Sequence, residues 1–120
     1  MPHLTLEVSG NLAPWADAML DAVTDACLHS GHFEQAVMMS RVVVHERFRV
    51  RQQGMAAFVN LGLRIRPGRS EDARADLARR LAQAIRQVAQ DERVSTRTCI
   101  TCEIHEVDTR TRALIFTGDD

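Results

Sequence analysis

Apolar and polar residues alternate from the start of the chain: Leu4, Leu6 and Val8 are interleaved with His3, Thr5 and Glu7. A period of two places the three apolar side chains on one face of a β-strand, and a strand this early ties the N-terminus into the body of the protein. Ser9-Gly10-Asn11 breaks the alternation and offers Asn11 as a helix N-cap. Pro14 then falls in the first turn, where its missing N–H costs nothing. Leu12, Trp15, Ala16, Met19, Leu20, Val23, Ala26 and Cys27 recur at helical spacing, which predicts a helix over about residues 12–29 with Gly31 as its stop.

Between Val37 and Val50 the chain is rich in strand formers. Arg41, His45, Arg47 and Arg49 share one parity, and Val42, Val44, Phe48 and Val50 the other, so one long strand with a basic face is predicted. Arg51-Gln52-Gln53-Gly54 reads as a turn into a second strand, Met55 to Arg66, and the pair predicts an antiparallel hairpin. Arg66-Pro67-Gly68-Arg69-Ser70 ends that strand. Ser70 is the N-cap of a second helix, with Glu71 and Asp72 in its first turn and Leu77, Leu81, Ala84, Ile85 and Val88 as its buried stripe. A last main strand follows at Thr98–Val107 with Ile100, Cys102 and Ile104 inward, and the run Ala113-Leu114-Ile115-Phe116 offers a short extra strand.

The order is a doubled β-α-β pattern. Right-handed crossovers then put both helices on one face of a four-stranded mixed sheet, an α+β fold. The opposite face carries His3, Thr5, Glu7, Phe58 and Asn60. This mixed, partly apolar surface reads as a subunit interface.

Composition narrows the class. A chain of 120 residues is one domain, 1–120, and a net charge of -1 argues against nucleic-acid or membrane-surface partners. No apolar run is long enough to span a membrane, and three scattered cysteines suit a reducing, cytoplasmic setting. All 15 basic residues are arginine, which excludes Schiff-base chemistry on a side-chain amine and favours bidentate grip on carboxylates. His29 and His32 lack the rest of a metal set, so no metal or cofactor is expected and helix capping is the better account. Cys99 and Cys102, three apart on a strand, point to opposite faces and make a redox pair unlikely to form.

Pro2 is the candidate for chemistry. Removal of Met1 turns its ring nitrogen into a free secondary amine. Desolvated among apolar neighbours, that amine becomes a usable base near neutral pH.

Met1-Pro2-His3 opening a strand, the doubled β-α-β plan and Gly68-Arg69-Ser70 at the second helix together resemble the tautomerase superfamily. Within it, the run from Pro2 to Asn11, Phe58-Val59, Leu63-Arg64-Ile65 and Gly68-Arg69-Ser70 are most similar to the 5-carboxymethyl-2-hydroxymuconate isomerases. The resemblance implies a homotrimer with inward sheet faces. It also implies a proline that shuttles a proton between an enol oxygen and a carbon of an unsaturated dicarboxylic acid formed in aromatic compound degradation. Arg69, just before a helix N-terminus, is the expected carboxylate ligand, and Arg41 a second one. The family pattern Arg-Ser-Arg-Val stands here as Met39-Ser40-Arg41-Val42, with Met at the arginine tied to catalysis. That departure leaves two other readings open: a non-catalytic trimeric binding protein of this fold, or a related tautomerase with a different small acidic substrate.

Overall fold

A computed structural model describes residues 1–34 and 36–118. The first strand, β1 (His3–Ser9), buries Leu4, Leu6 and Val8 completely and leaves His3, Thr5 and Glu7 half-exposed, as its period of two requires, until Ser9 ends the alternation as a buried residue. A 3-10 turn over Gly10–Trp15 leads into helix α1 (Ala16–Leu28), then strands β2 (Met39–His45) and β3 (Ala57–Ile65), helix α2 (Glu71–Asp91) and strand β4 (Thr98–Glu106).

The strands form one sheet in the order β2-β1-β3-β4. β1 runs parallel to β2 and antiparallel to β3, and β3 runs parallel to β4. Met19, Val23 and Cys27 of α1 and Leu77, Leu81 and Ile85 of α2 join Leu4, Leu6, Val59, Leu61 and Leu63 in a single buried cluster. Both helices therefore cover the same face of a mixed sheet. Burying a side chain such as Leu61 or Leu81 there contributes about 1.5–3 kcal/mol relative to exposure. Among the described residues no helix is long and apolar enough to cross a membrane.

Several local expectations change. β2 and β3 are not a hairpin, because β1 lies between them and pairs with both. The turn itself exists, with Met55 N donating to Gln52 O at 3.0 Å, but it sits inside a connection between non-adjacent strands. β2 also stops at His45 rather than Val50. Its partner leaves the sheet at Gly10, which packs so closely that a Cβ there would lie 2.9 Å from the His45 carbonyl oxygen. Beyond that point β2 has no neighbour to pair with. β3 correspondingly starts two residues later than expected, at Ala57.

Asn11 does not cap a helix. Its Nδ2 donates to Ala56 O at 2.9 Å while its Oδ1 accepts from Ser9 Oγ at 2.7 Å, fastening the 3-10 turn to the approach to β3. Ser70 does cap α2, its Oγ accepting from Ala73 N at 3.1 Å. The tail run Ala113–Phe116 adds no strand, and Ile115 and Phe116 are 80% and 73% exposed.

Candidate active site at the N-terminus

Pro2 is fixed from one side only. Its carbonyl accepts from Met39 N at 3.0 Å, a rung that extends the β1–β2 ladder to the start of the chain. Its nitrogen carries Met1, so in this structure it is an amide. A cavity of about 880 Å³ opens here, within the range of small-ligand sites. Pro2 and Met1 form part of its wall, with Phe33, Arg66, Arg69 and Phe116. The lining therefore combines apolar surface with two guanidinium groups against one carboxylate, Glu34, a positive excess that suits a carboxylate on a hydrocarbon frame.

Arg69 is held by its backbone and its side chain together. Gly68, at φ +123°, adopts a conformation that side-chain-bearing residues rarely take, and its N–H donates to Glu106 Oε2 at 3.1 Å. The guanidinium then turns onto the loop between α1 and β2. Nε and Nη2 donate to the His32 carbonyl oxygen at 3.1 and 2.8 Å, and the guanidinium carbon lies 4.5 Å from the centre of the Phe33 ring.

The arginines around the N-terminus act in one direction. The α-amino group of Met1 is held below its ordinary pKa by desolvation first, then by Arg112, Arg66 and Arg69. His3 is also pushed down, by desolvation and then by Arg41 and Arg64 foremost among the charges. Each cause disfavours a cation, so an amine at this end of the chain is biased toward its neutral form.

Arg41 stands on the sheet face away from the helices. It does not line the cavity, but its Nη2 donates to His3 Nδ1 at 2.7 Å, which draws the guanidinium toward the Pro2 end of β1. Met39, the register partner of His3, leaves its side chain 48% exposed beside it. Pro2 and Arg69 thus share one cavity, while Arg41 lies outside its lining and reaches only His3 and Thr5 of β1.

The remaining motifs resolve as structure. His29 Nδ1 lies 2.8 Å from Asp25 O at the end of α1, the capping role expected of it. Cys99 pairs with Phe58 and Cys102 with Leu61, on opposite faces of the sheet. Burial pushes the Cys27 and Cys102 thiols up to about 11 and about 12, so both stay protonated at neutral pH.

Sequence reasoning missed Arg66, Arg112, Phe33 and the tail residues Leu114 and Phe116. Arg66 was open to detection, since it directly precedes the Pro67-Gly68 turn. Phe33 and the tail lie in irregular segments whose position no periodicity reveals.

This fold, two helices on one face of a four-stranded mixed sheet with an arginine-bearing cavity beside its first residues, is that of an isomerase of the tautomerase superfamily. The sequence model of 5-carboxymethyl-2-hydroxymuconate isomerase matches residues 2–113, and the chain belongs to that family. Among solved structures, a 5-carboxymethyl-2-hydroxymuconate delta-isomerase is 21% identical with a TM-score of 0.77, over 100% of this chain and 96% of its own. A 5-carboxymethyl-2-hydroxymuconate isomerase from Deinococcus radiodurans R1 is 23% identical with a TM-score of 0.78, over 97% and 90%. A fused 4-OT wild-type symmetric trimer is 18% identical with a TM-score of 0.70, over 93% and 90%. No curated protein matches the sequence.

Proposed function

We propose that the processed chain, beginning at Pro2, isomerises an unsaturated 2-hydroxy dicarboxylic acid of the 5-carboxymethyl-2-hydroxymuconate type, in aromatic compound degradation in the cytoplasm. The neutral proline amine takes the proton from the enol hydroxyl. The charge spreads over the conjugated chain, and the ammonium returns the proton to a carbon, leaving the ketone. One group serves as base and then as acid, so its two forms must be close in energy near the working pH. Arg69 and Arg66 hold carboxylate and stabilise the dienolate, and Arg41 gives support from the flank. The observation that carries the reading is the convergence of the first residues with Arg66 and Arg69 at one cavity, with the charge of Arg112 acting on the same end of the chain.

The working unit is a homotrimer. The chain exposes 8147 Å², where a compact monomer of its 13.5 kDa exposes about 6,500 Å². Its radius of gyration is 15.4 Å, against about 13.6 Å for a compact domain of 120 residues. The excess is shared by the exposed connection around residues 46–54, the tail beyond β4 and the sheet face that the helices leave uncovered. That face carries a polar network in which Glu7 bonds His45 at 2.9 Å and Asn60 at 3.2 Å. Light scattering at micromolar concentration should give three times the chain mass, and a stable monomer refutes the assembly.

The enzymatic reading is tested with untagged protein whose N-terminus is read by mass spectrometry. Processed protein should accelerate ketonisation of 5-carboxymethyl-2-hydroxymuconate, followed by its ultraviolet absorbance. Absence of activity in protein shown to begin at Pro2 overturns the substrate class.

A further inference from the structure

His32 faces two ways. Its carbonyl oxygen takes both hydrogen bonds from Arg69, and its ring Nε2 lies 2.8 Å from Asp76 Oδ2 on α2. Asp76 is in turn held by Arg80, whose Nε donates to Oδ2 at 2.7 Å, with Arg79 at 3.8 Å from Oδ1. The loop between α1 and β2 therefore reaches helix α2 through one side chain, and the next residue, Phe33, supplies the ring under the Arg69 guanidinium. His32 lines the cavity and its backbone N–H also donates to Ser30 Oγ at 3.3 Å, whereas Asp76 does not line the cavity and meets it only through His32.

We propose that the Asp76–His32 pair is the device that positions Arg69 for substrate, acting through the His32 backbone. The inference rests on the assignment of Arg69 as a carboxylate ligand. A guanidinium offers five N–H donors in a rigid fork. With Nε and one Nη2 hydrogen turned to the His32 carbonyl, the end of the fork, formed by Nη1 and the other Nη2 hydrogen, is what remains for a carboxylate. Its direction is set by where that carbonyl sits. The carbonyl lies in a segment of irregular backbone, and the ring of the same residue clips that segment to a 21-residue helix. Asp76 is thus a positioning residue: it touches no substrate and holds the atom that aims the residue that does.

The geometry orders the variants. Asp76→Ala frees the His32 ring, whereas Asp76→Asn keeps an oxygen that accepts from Nε2–H. With 5-carboxymethyl-2-hydroxymuconate as probe, Asp76→Ala should raise KM about five- to tenfold with kcat within about twofold, and Asp76→Asn should restore most of the loss. In an Arg69→Ala background the Asp76→Ala change should have no further effect, because the residue it positions is gone. The Arg69 Nε–H proton, followed by NMR without substrate, should exchange faster with water in Asp76→Ala than in the parent. An unchanged Nε–H signal, or equal KM penalties in both backgrounds, overturns the positioning role. A perturbed signal together with an inert Arg69→Ala keeps the positioning and removes Arg69 from the substrate site, so the two failures are told apart.

Discussion

Replacing Arg69 with Ala is the sharpest test of how the cavity holds its anion. The substitution removes a cation whose guanidinium already spends two N–H groups on the His32 carbonyl at 3.1 and 2.8 Å. What it offers a substrate is therefore the end-on fork, a charge-assisted bidentate contact in a half-buried, partly desolvated position. Loss of such a contact costs about 2–4 kcal/mol of transition-state stabilisation, or about a 30- to 800-fold drop in kcat/KM. The fold should pay less. An unsatisfied His32 carbonyl costs about 1–2 kcal/mol, and nearby water can replace the lost donor. Arg69→Lys should recover only part of the activity, since an ammonium keeps the charge and loses the fork. The assay is ketonisation kinetics on processed protein, with circular dichroism to confirm the fold. A kcat/KM within twofold of the parent, with an intact spectrum, would return Arg69 to a purely structural role in the turn.

Processed protein should show kcat/KM rising with pH as the proline ammonium loses its proton. Desolvation and the arginines that hold the Met1 amine down should act in the same direction on a Pro2 amine and place the limb below that of an exposed one. Arg112→Ala should move that limb to higher pH, and a limb that stays in place excludes Arg112 as a contributor. Protein that keeps Met1 should be inactive, its Pro2 nitrogen having no basic lone pair, and equal turnover from both forms refutes the role of Pro2. Gly10→Ala should destabilise the fold by about 1–3 kcal/mol in urea denaturation, since the new Cβ meets the His45 backbone at 2.9 Å; an unchanged midpoint means the approach is soft. Native Cys27, completely buried and with its thiol pushed up to about 11, should alkylate with iodoacetamide at pH 8 at least about 100-fold more slowly than in urea, a ratio that peptide mass spectrometry measures.

The parts of this fold that sequence reveals are those that one segment decides alone. The alternation of Leu4, Leu6 and Val8 and the stripe of Leu77, Leu81 and Ile85 behind the Ser70 cap appear in the structure as read. Pairing is a relation between segments, and there local signals mislead. The turn near Gly54 is real, yet β2 and β3 both go to β1, which buries both of its edges. The start of α1 was blurred by the same cause, because Asn11 spends its side chain on Ala56, 45 residues away. At the site, Pro2 and Arg69 stand out by their positions in motifs. Phe33, Leu114 and Phe116 reach the cavity along irregular backbone, so only the assembled structure brings them together.

The proposed use of a Pro2 amine, freed by loss of Met1, has a bearing on how such a protein can evolve. A side-chain nucleophile is copied whenever its gene segment is copied, and a tandem fusion of two domains carries two of them. A terminal amine obeys a different count, because a polypeptide has one N-terminus however many domains it contains. Joining the tail of one copy to the start of the next would turn the second proline nitrogen into an amide. The linker would also run through the mouth of the cavity, since Phe116 and Pro2 line the same wall. Separate short chains that assemble keep one working amine per domain, while a fused descendant keeps one per molecule and is free to put its other cavities to different use.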